Sequence, residues 1–482
     1  MKKNKTEIIL FLVFALNFLL RIPSLFDPVS YGDECIYLTL GNAFNQGLVF
    51  YREIHDNKPP LLYLTAALAG GSLFWLRLIT LLWNSINLWL IFLLGRRLTK
   101  SQKGGLISAS LFALFSLLPE GRIANGEIFM IMPASLAVLL ALVGEQKKKK
   151  QFWFLSGLCF SLAFLFKVPI VFDFAGFLLA LFVFRLNKPQ QFLSVVKNKK
   201  LYLVLLGFGL PILISIIYYS QRGAFTPYVR SALMQNIGYL SSWGGDNSGL
   251  YQRGIILILV SSLIYRWRRQ LGFAFFLPAL LTLFGLYGVF LSERPYPHYF
   301  MEVAPWFSLL LTVVLFQKKI RQLTVASWLF FLSLLGAVRF DFWWYPHWPY
   351  YQNFLNFALG RIDQQEYFAY FGGQVEKDYQ LAKYLQAYSQ PQERIFVWGD
   401  GACIYALAKR NPPGRYTVNY HIYDFDGFEE TLTAIKEKEP KIIVLLEPLR
   451  KEFPSLEDLL SLEYSRTKKI DGAEIYQKLN HQ

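Results

Sequence analysis

The chain is poor in the residues from which most soluble catalytic sites are built. It carries three cysteines in 482 residues, Cys35, Cys159 and Cys403, without metal-like spacing. CxxC, HExxH, GxxxxGK[ST] and GxSxG are all missing, so redox and zinc chemistry receive no support. Internal repeats and low-complexity stretches are also missing. Charge is scarce: 17% of residues are Asp, Glu, Lys or Arg, against 54% hydrophobic and 17% aromatic. A soluble protein of this length is far less apolar. The formal charge of +16 does not point to nucleic acid, because the basic residues lie in short clusters between apolar runs, where they report topology. The first apolar run, Ile8 to Leu20, follows Lys2, Lys3 and Lys5. No small-x-small cleavage site follows it, so it reads as a retained first span with a cytoplasmic N-terminus.

What is present is a series of apolar runs. A spanning helix needs about 20 mostly apolar residues, and cytoplasmic loops collect Lys and Arg. The basic loops are Arg96, Arg97, Lys100 and Lys103; Lys147 to Lys150; Arg185, Lys188, Lys197, Lys199 and Lys200; Arg266, Arg268 and Arg269; and Lys318, Lys319 and Arg321. Placing all of them inside gives spans near 7–26, 76–95, 104–118, 128–144, 152–168, 170–186, 201–220, 254–265, 271–291, 302–316 and 323–339, eleven in all. The run 59–74 contains Pro59, Pro60, Gly70 and Gly71, and reads as an interfacial or re-entrant element. Outside then lie 27–75, 119–127, 221–253, 292–301 and everything after about 340.

The fold class expected is an all-α polytopic membrane protein of cytoplasmic-membrane type with an outer α/β domain. Three parts are anticipated: a membrane domain (1–340), an aromatic interfacial linker (341–366) and a soluble domain (367–482). The linker begins with FDFWWYPHWPYY, suited to the headgroup belt. In the tail, helices are expected at Val375–Tyr388, Ala402–Lys409 and Phe428–Glu437, and strands at Arg394–Trp398, Tyr416–Tyr420 and Lys441–Leu446.

A carboxylate facing lipid costs about 2.5 to 3.5 kcal/mol, so acids beside spans should face water, protein or a function. The outer island YGDECIYLTLGNAFNQGLVFYREIHDNKPPLL, Tyr31 to Leu62, opens with Asp33 and Glu34. Helical phasing puts Asp33 in line with Tyr37, Leu40 and Phe44 on a buried side, and Glu34 on a wetter one. Asp33 alternatively caps that helix. The island closes with His55, Asp56, Asn57 and Lys58 before a proline pair that holds the backbone extended. Lys58 suits a fixed cation near the headgroups; simple snorkelling is the plainer reading. Two later outer clusters are Glu120-Gly121-Arg122 through Glu127, and Ser292 through Tyr299 with Arg294 and His298. Solvated turns explain the first as well as function does. Asp173 is the main charge within a span.

The order GDExxYLxxG, DNKPPLLYL, ANGEIFMIMP, RPYPHYF, each at the outer end of a span, resembles glycosyltransferase family 39, polytopic enzymes with a GT-C fold related to protein O-mannosyltransferases and to aminoarabinose transferases. The resemblance covers about residues 1–340 and implies transfer of a sugar from a polyprenyl-phosphate donor to a hydroxyl on the outer face. Carried over residue by residue, it implies that Asp33 is the general base, Lys58 holds the donor phosphate and Glu127 is the acid of the second loop. Arg294 and His298 would line the same cavity. Glu34, Tyr37, His55, Asp56, Arg122 and Tyr299, in the same outer clusters, are the further candidate substrate contacts. No metal and no cofactor is required. The aminoarabinose transferases tend to carry Arg three residues after the first acid, where this chain has Ile36.

The residue types fit that chemistry. Phosphate leaves readily and needs a countercharge more than a proton, while the incoming hydroxyl needs a base. The partners implied are the lipid-linked donor, a hydroxyl-bearing acceptor and the bilayer. The segment 221–253 reads as a lid over the lipid cavity or as a passive loop. A transporter or flippase of lipid-linked sugars is the competing class, although transporters place binding groups near mid-membrane; a membrane scaffold with a partner-binding tail is a third. The topology predicts that Cys403 is reached by a membrane-impermeant thiol reagent on intact cells, and labelling confined to permeabilised cells would overturn it.

Overall fold

A computed structural model describes residues 3–118, 120–184, 186, 195–235, 248–447 and 452–479. Arg185 and Lys188 of the third basic loop, and 236–247 of the 221–253 segment, lie outside the described residues.

Each of the eleven apolar runs forms a helix because its backbone has no other hydrogen-bond partner in an apolar setting. The helices from the N-terminus are α1 (Lys3–Leu19), α2 (Gly32–Asn45), α3 (Leu61–Leu68), α4 (Leu73–Thr99), α5 (Gln102–Phe115), α6 (Gly126–Lys147), α7 (Gln151–Phe166) and α8 (Ile170–Val183). They continue as α9 (Lys199–Gln221), α10 (Ser248–Leu271), α11 (Phe273–Val289), α12 (Ala304–Gln317) and α13 (Ile320–Arg339). Among the described residues, four of these, α4, α6, α9 and α13, are long and apolar enough to cross a membrane by length and composition. Helices α7, α8, α11 and α12 are apolar but have only 14 to 17 residues. The eleven-span count therefore remains an expectation. Helix α1 stops at Leu19, short of the expected residue 26, and Ile22–Leu25 forms a 3₁₀ turn around Pro23.

The run 59–74 yields only the eight-residue α3, about 12 Å long and too short to cross. Gly70 and Gly71, both with positive φ (62° and 67°), follow it, and Leu73 and Phe74 already belong to α4.

The chain divides into two compact units. One comprises 1–24, 77–218 and 233–345; the other comprises 25–76, 219–232 and 346–482, so the island and the tail belong to the same unit. In that unit α2 and α3 pack with their backbones close: a Cβ on Gly41 would lie 2.6 Å from the Ala66 carbonyl carbon and 2.7 Å from the Ala67 nitrogen.

The tail continues with α14 (His347–Ala358), α15 (Gln374–Tyr388), α16 (Ala402–Ala408), α17 (Asn419–Asp424), α18 (Phe428–Lys438) and α19 (Pro454–Glu463). Its four-stranded sheet has the order β1-β2-β4-β3, with β1 (Ile395–Trp398), β2 (Ile442–Leu445), β3 (Tyr464–Ile470) and β4 (Ala473–Lys478). The β1–β2 pair is parallel and the other two pairs are antiparallel. Both faces of β1 and β2 are buried, as their continuous apolar runs demand. Ile395, Val397, Ile442 and Val444 pack on Leu381, Leu385 and Ile404, while Phe396, Trp398, Ile443 and Leu445 pack on Ile422, Ile435 and Leu456.

The strand expected at Tyr416–Tyr420 does not form. The outer edge of β1 is already covered, since the Ile395 N–H donates to the Asn411 carbonyl, and Asn419 starts α17. The β3–β4 hairpin was not anticipated, although Asp471-Gly472 is its turn, with φ of 42° and 84°. Cys35 in α2 and Cys403 in α16 form a disulfide spanning 368 residues, so thiol labelling of Cys403 requires prior reduction.

Gly41→Ala is expected to force α2 off α3, since the obstructing atoms are backbone, at a cost of about 1 to 3 kcal/mol. An unchanged unfolding temperature of the purified variant would contradict this packing.

Candidate active site

In the unit formed by the island and the tail, the centre is Lys58. Its ammonium lies 3.6 Å from Asp33 Oδ1 and 3.4 Å from Asp56 Oδ2, and sits over the Tyr37 ring at 5.2 Å from the centroid. Its backbone is gripped by two tyrosines: its N–H donates to Tyr63 Oη (2.9 Å), and its carbonyl accepts from Tyr51 Oη (2.9 Å). The proline pair does not hold this segment extended throughout. Pro60 is in the right-handed helical region and starts α3, which brings Tyr63 back over Lys58. Tyr51 has φ of +70° while fully buried, an uncommon conformation for a bulky residue. Tyr219 and Tyr228 pack on its ring at 5.2 Å each and hold it there. Tyr228 shows that the early part of the 221–253 segment is packed core rather than free loop.

Asp33 and Glu34 exchange the environments that phasing assigned to them. Glu34 is buried at 1% exposure, whereas the Asp33 side chain is 29% exposed. The reason is that α2 has no wet face from Glu34 to Gly41, so exposure depends on nearness to its N-terminus rather than on helical angle. Asp33 is not the cap either. Tyr31 occupies that position without a side-chain bond, and Asp33 and Glu34 sit in the first turn, where the helix dipole favours a carboxylate.

Asp56 is 1% exposed; its Oδ2 accepts from Tyr63 Oη (2.9 Å) and its Oδ1 lies 3.5 Å from His421 Nε2. His55 turns away from Lys58 into the tail: its N–H donates to the Arg415 carbonyl (2.8 Å), and its ring packs on Tyr416, Phe425 and His421. Burial pushes His55 well below its ordinary value and His421 down to about 4, so both rings are neutral near pH 7.

The other unit holds a second cluster. Glu127 is in the first turn of α6, at 2% exposure, and is paired with Lys167. Lys167 leaves α7 with extended φ and ψ (−158°, 130°) two residues before Pro169, and its ammonium sits over Tyr299, 4.5 Å from the ring centroid. His298, on the 3₁₀ turn Pro297–Glu302, bridges two acids. Its Nδ1 is 2.8 Å from Glu120 Oε2 and its Nε2 is 4.0 Å from Glu127 Oε1. Deeper in this unit, Asp173 accepts from the Trp306 indole N–H and shares a hydrogen bond with Glu302. Arg122 and Arg294 are half-buried in the same unit.

The structure thus groups Asp33, Tyr37, Asp56 and Lys58 in one unit, and Glu127, His298 and Tyr299 in the other. Sequence reading missed Lys167, Tyr63 and His421. Lys167 did leave a signal, a lone lysine closing an apolar run ahead of proline. His421 left none, since nothing local distinguishes it from a structural histidine.

Residues 58–219 match the family described as Dolichyl-phosphate-mannose-protein mannosyltransferase. ArnT from Cupriavidus metallidurans bound to undecaprenyl phosphate has a similar structure, with a TM-score of 0.59 at 13% identity, covering 98% of each chain. Its apo state gives 0.58 at 12% identity over 97% of each. The chain has the ArnT fold. The resemblance to glycosyltransferase family 39 thus appears both in the family match and in the fold. No curated protein sequence matches the chain.

The neutral burial of His421 has a consequence for stability. Above pH 6.5 neither the folded nor the unfolded chain protonates it; as pH falls from 6.5 towards 4, the unfolded chain binds a proton that the folded site refuses. Stability is lost across that window, by up to about 3 kcal/mol. Asp378, pushed up to about 6 by burial, acts in the opposite direction. His421→Gln leaves the Asp378 contribution in place and is expected to flatten the acid slope of the unfolding temperature; an unchanged slope would contradict neutral burial.

Proposed function

We propose that this chain is an integral-membrane, inverting glycosyltransferase that moves a sugar from a polyprenyl-phosphate donor to a hydroxyl acceptor on the outer face of the cytoplasmic membrane. The observation that carries the reading is the placement of Lys58 between Asp33 and Asp56, within a chain of ArnT fold. An ammonium is a compact point charge that pairs with phosphate oxygens as it does with carboxylates. A cation about 4 Å from a phosphate oxygen is worth roughly 4 kcal/mol at an effective dielectric near 20. The ArnT relative was solved with undecaprenyl phosphate, which supports the same class of donor here.

In this reading Asp33 accepts the proton of the acceptor hydroxyl as that oxygen attacks the anomeric carbon. The anomeric C–O bond to phosphate breaks, and the phosphate leaves as an anion stabilised by Lys58. Attack opposite the leaving group inverts the anomeric centre. Asp33 suits the base role because it is the more exposed of the two acids, open to an incoming substrate, whereas buried Glu34 is not. Glu127, paired with Lys167 and flanked by His298, is assigned as the acid of the second outer loop, and Arg122 and Arg294 as anion contacts.

The test uses purified protein in detergent, a radiolabelled polyprenyl-phosphate sugar and envelope acceptors. Asp33→Asn is expected to lower kcat by about 100-fold or more, the usual worth of a general base. Lys58→Ala is expected chiefly to raise the donor KM. Equal transfer by wild type and Asp33→Asn would remove Asp33 from the chemistry, and donor movement across vesicles without transfer would favour a flippase.

A further inference from the structure

The buried carboxylate of Asp56 is the feature that the proposed chemistry does not use. A charge that deep persists only when each oxygen has a partner. Oδ2 has two, Tyr63 Oη at 2.9 Å and Lys58 Nζ at 3.4 Å. Oδ1 has no hydrogen-bond partner among the described residues, and His421 Nε2 faces it at 3.5 Å. That separation is long for a hydrogen bond, as site contacts without substrate commonly are. His421 Nδ1 also lacks a partner among the described residues, which fits the tautomer that carries its proton on Nε2 and directs it at Asp56.

His421 is not there by chance of a loose tail. It sits on α17, whose first N–H (Asn419) donates to the Gly399 carbonyl at the end of β1. Three further links join this part of the tail to the island within the same unit: the Cys35–Cys403 disulfide, the Thr39 hydroxyl on the Ala402 carbonyl (3.2 Å) and the His55 N–H on the Arg415 carbonyl (2.8 Å). The tail is thereby fastened to the island at residues that lie between Asp33 and Lys58 in the chain.

We propose that His421 is a positioning residue: it orients Asp56 through Oδ1, and Asp56 with Asp33 sets the direction of the Lys58 ammonium. The soluble tail is then a working part of the phosphate site rather than an appendage. The proposal rests on the reading of Lys58 as the donor-phosphate clamp, so one of its two tests is independent of donor.

The first test measures undecaprenyl phosphate binding to the full chain. His421→Ala is expected to weaken binding about 10-fold, the scale on which supporting partners tune a bound group. His421→Gln, which restores an N–H donor, should return it to within about threefold, and on a Lys58→Met background His421→Ala should add nothing. Unaltered binding in His421→Ala, or an additive effect on Lys58→Met, overturns the proposal. The second test follows the ¹³C resonance of reductively methylated Lys58, assigned with Lys58→Arg. The resonance is expected to move in His421→Ala and return in His421→Gln; an unmoved resonance overturns the proposal whatever the ligand does. Failure of wild type to bind undecaprenyl phosphate sinks the donor reading alone, and the resonance still decides positioning. Should His421→Ala fail to form the Cys35–Cys403 disulfide, His421→Leu, which keeps bulk but cannot donate, takes its place in both tests.

Discussion

An ammonium suspended between two carboxylates is the constraint on which one unit of this protein depends. Lys58 is only 17% exposed, so the charge that would meet a phosphate has already left most of its water. Partial desolvation of that kind is tolerable only with nearby counter-charge, and Asp33 and Asp56 supply it from opposite ends of the island. The surrounding features serve that arrangement. Pro60 turns the chain into α3 so that Tyr63 returns to the Lys58 backbone, a buried tyrosine group holds Tyr51 in a left-handed conformation, and Gly41 lets α2 and α3 meet backbone to backbone.

The second unit repeats the chemistry with other residues. Lys167 pairs with Glu127 and rests on the Tyr299 ring, as Lys58 pairs with Asp33 and rests on Tyr37. In both places an aromatic face and a carboxylate share the work of stabilising a partly dehydrated ammonium. His298 adds a third group, tying Glu120 to Glu127 from the late outer motif.

The disulfide and the histidines change what the tail is for. As a string of helices and strands it reads as a soluble accessory domain, and its sheet is self-sufficient, with buried side chains on both faces. Yet Cys403, Arg415 and His421 all engage the island in the same compact unit. With a sequence separation of 368, the two cysteines close one covalent loop around the whole middle of the chain.

The apolar runs, the outer polar loops and the alternation of the tail were legible because each rests on local composition, which solvent or lipid reads residue by residue. Asp33, Lys58, Glu127 and His298 could be named for the same reason: a charge at the end of an apolar run is conspicuous. Angular phasing failed for Asp33 and Glu34 because a helix covered on every side has no amphipathic code to read. The strand expected at Tyr416–Tyr420 failed because the edge of β1 was already taken by Asn411, a fact of packing. By itself, then, the sequence determined which segments are apolar, where the helices lie and which charged groups border them. Only the tertiary structure decided that Lys58 sits between two acids, that Cys35 meets Cys403 and that His421 faces Asp56. Those pairings join residues far apart in the chain, and nothing short of the folded backbone sets the distance between them.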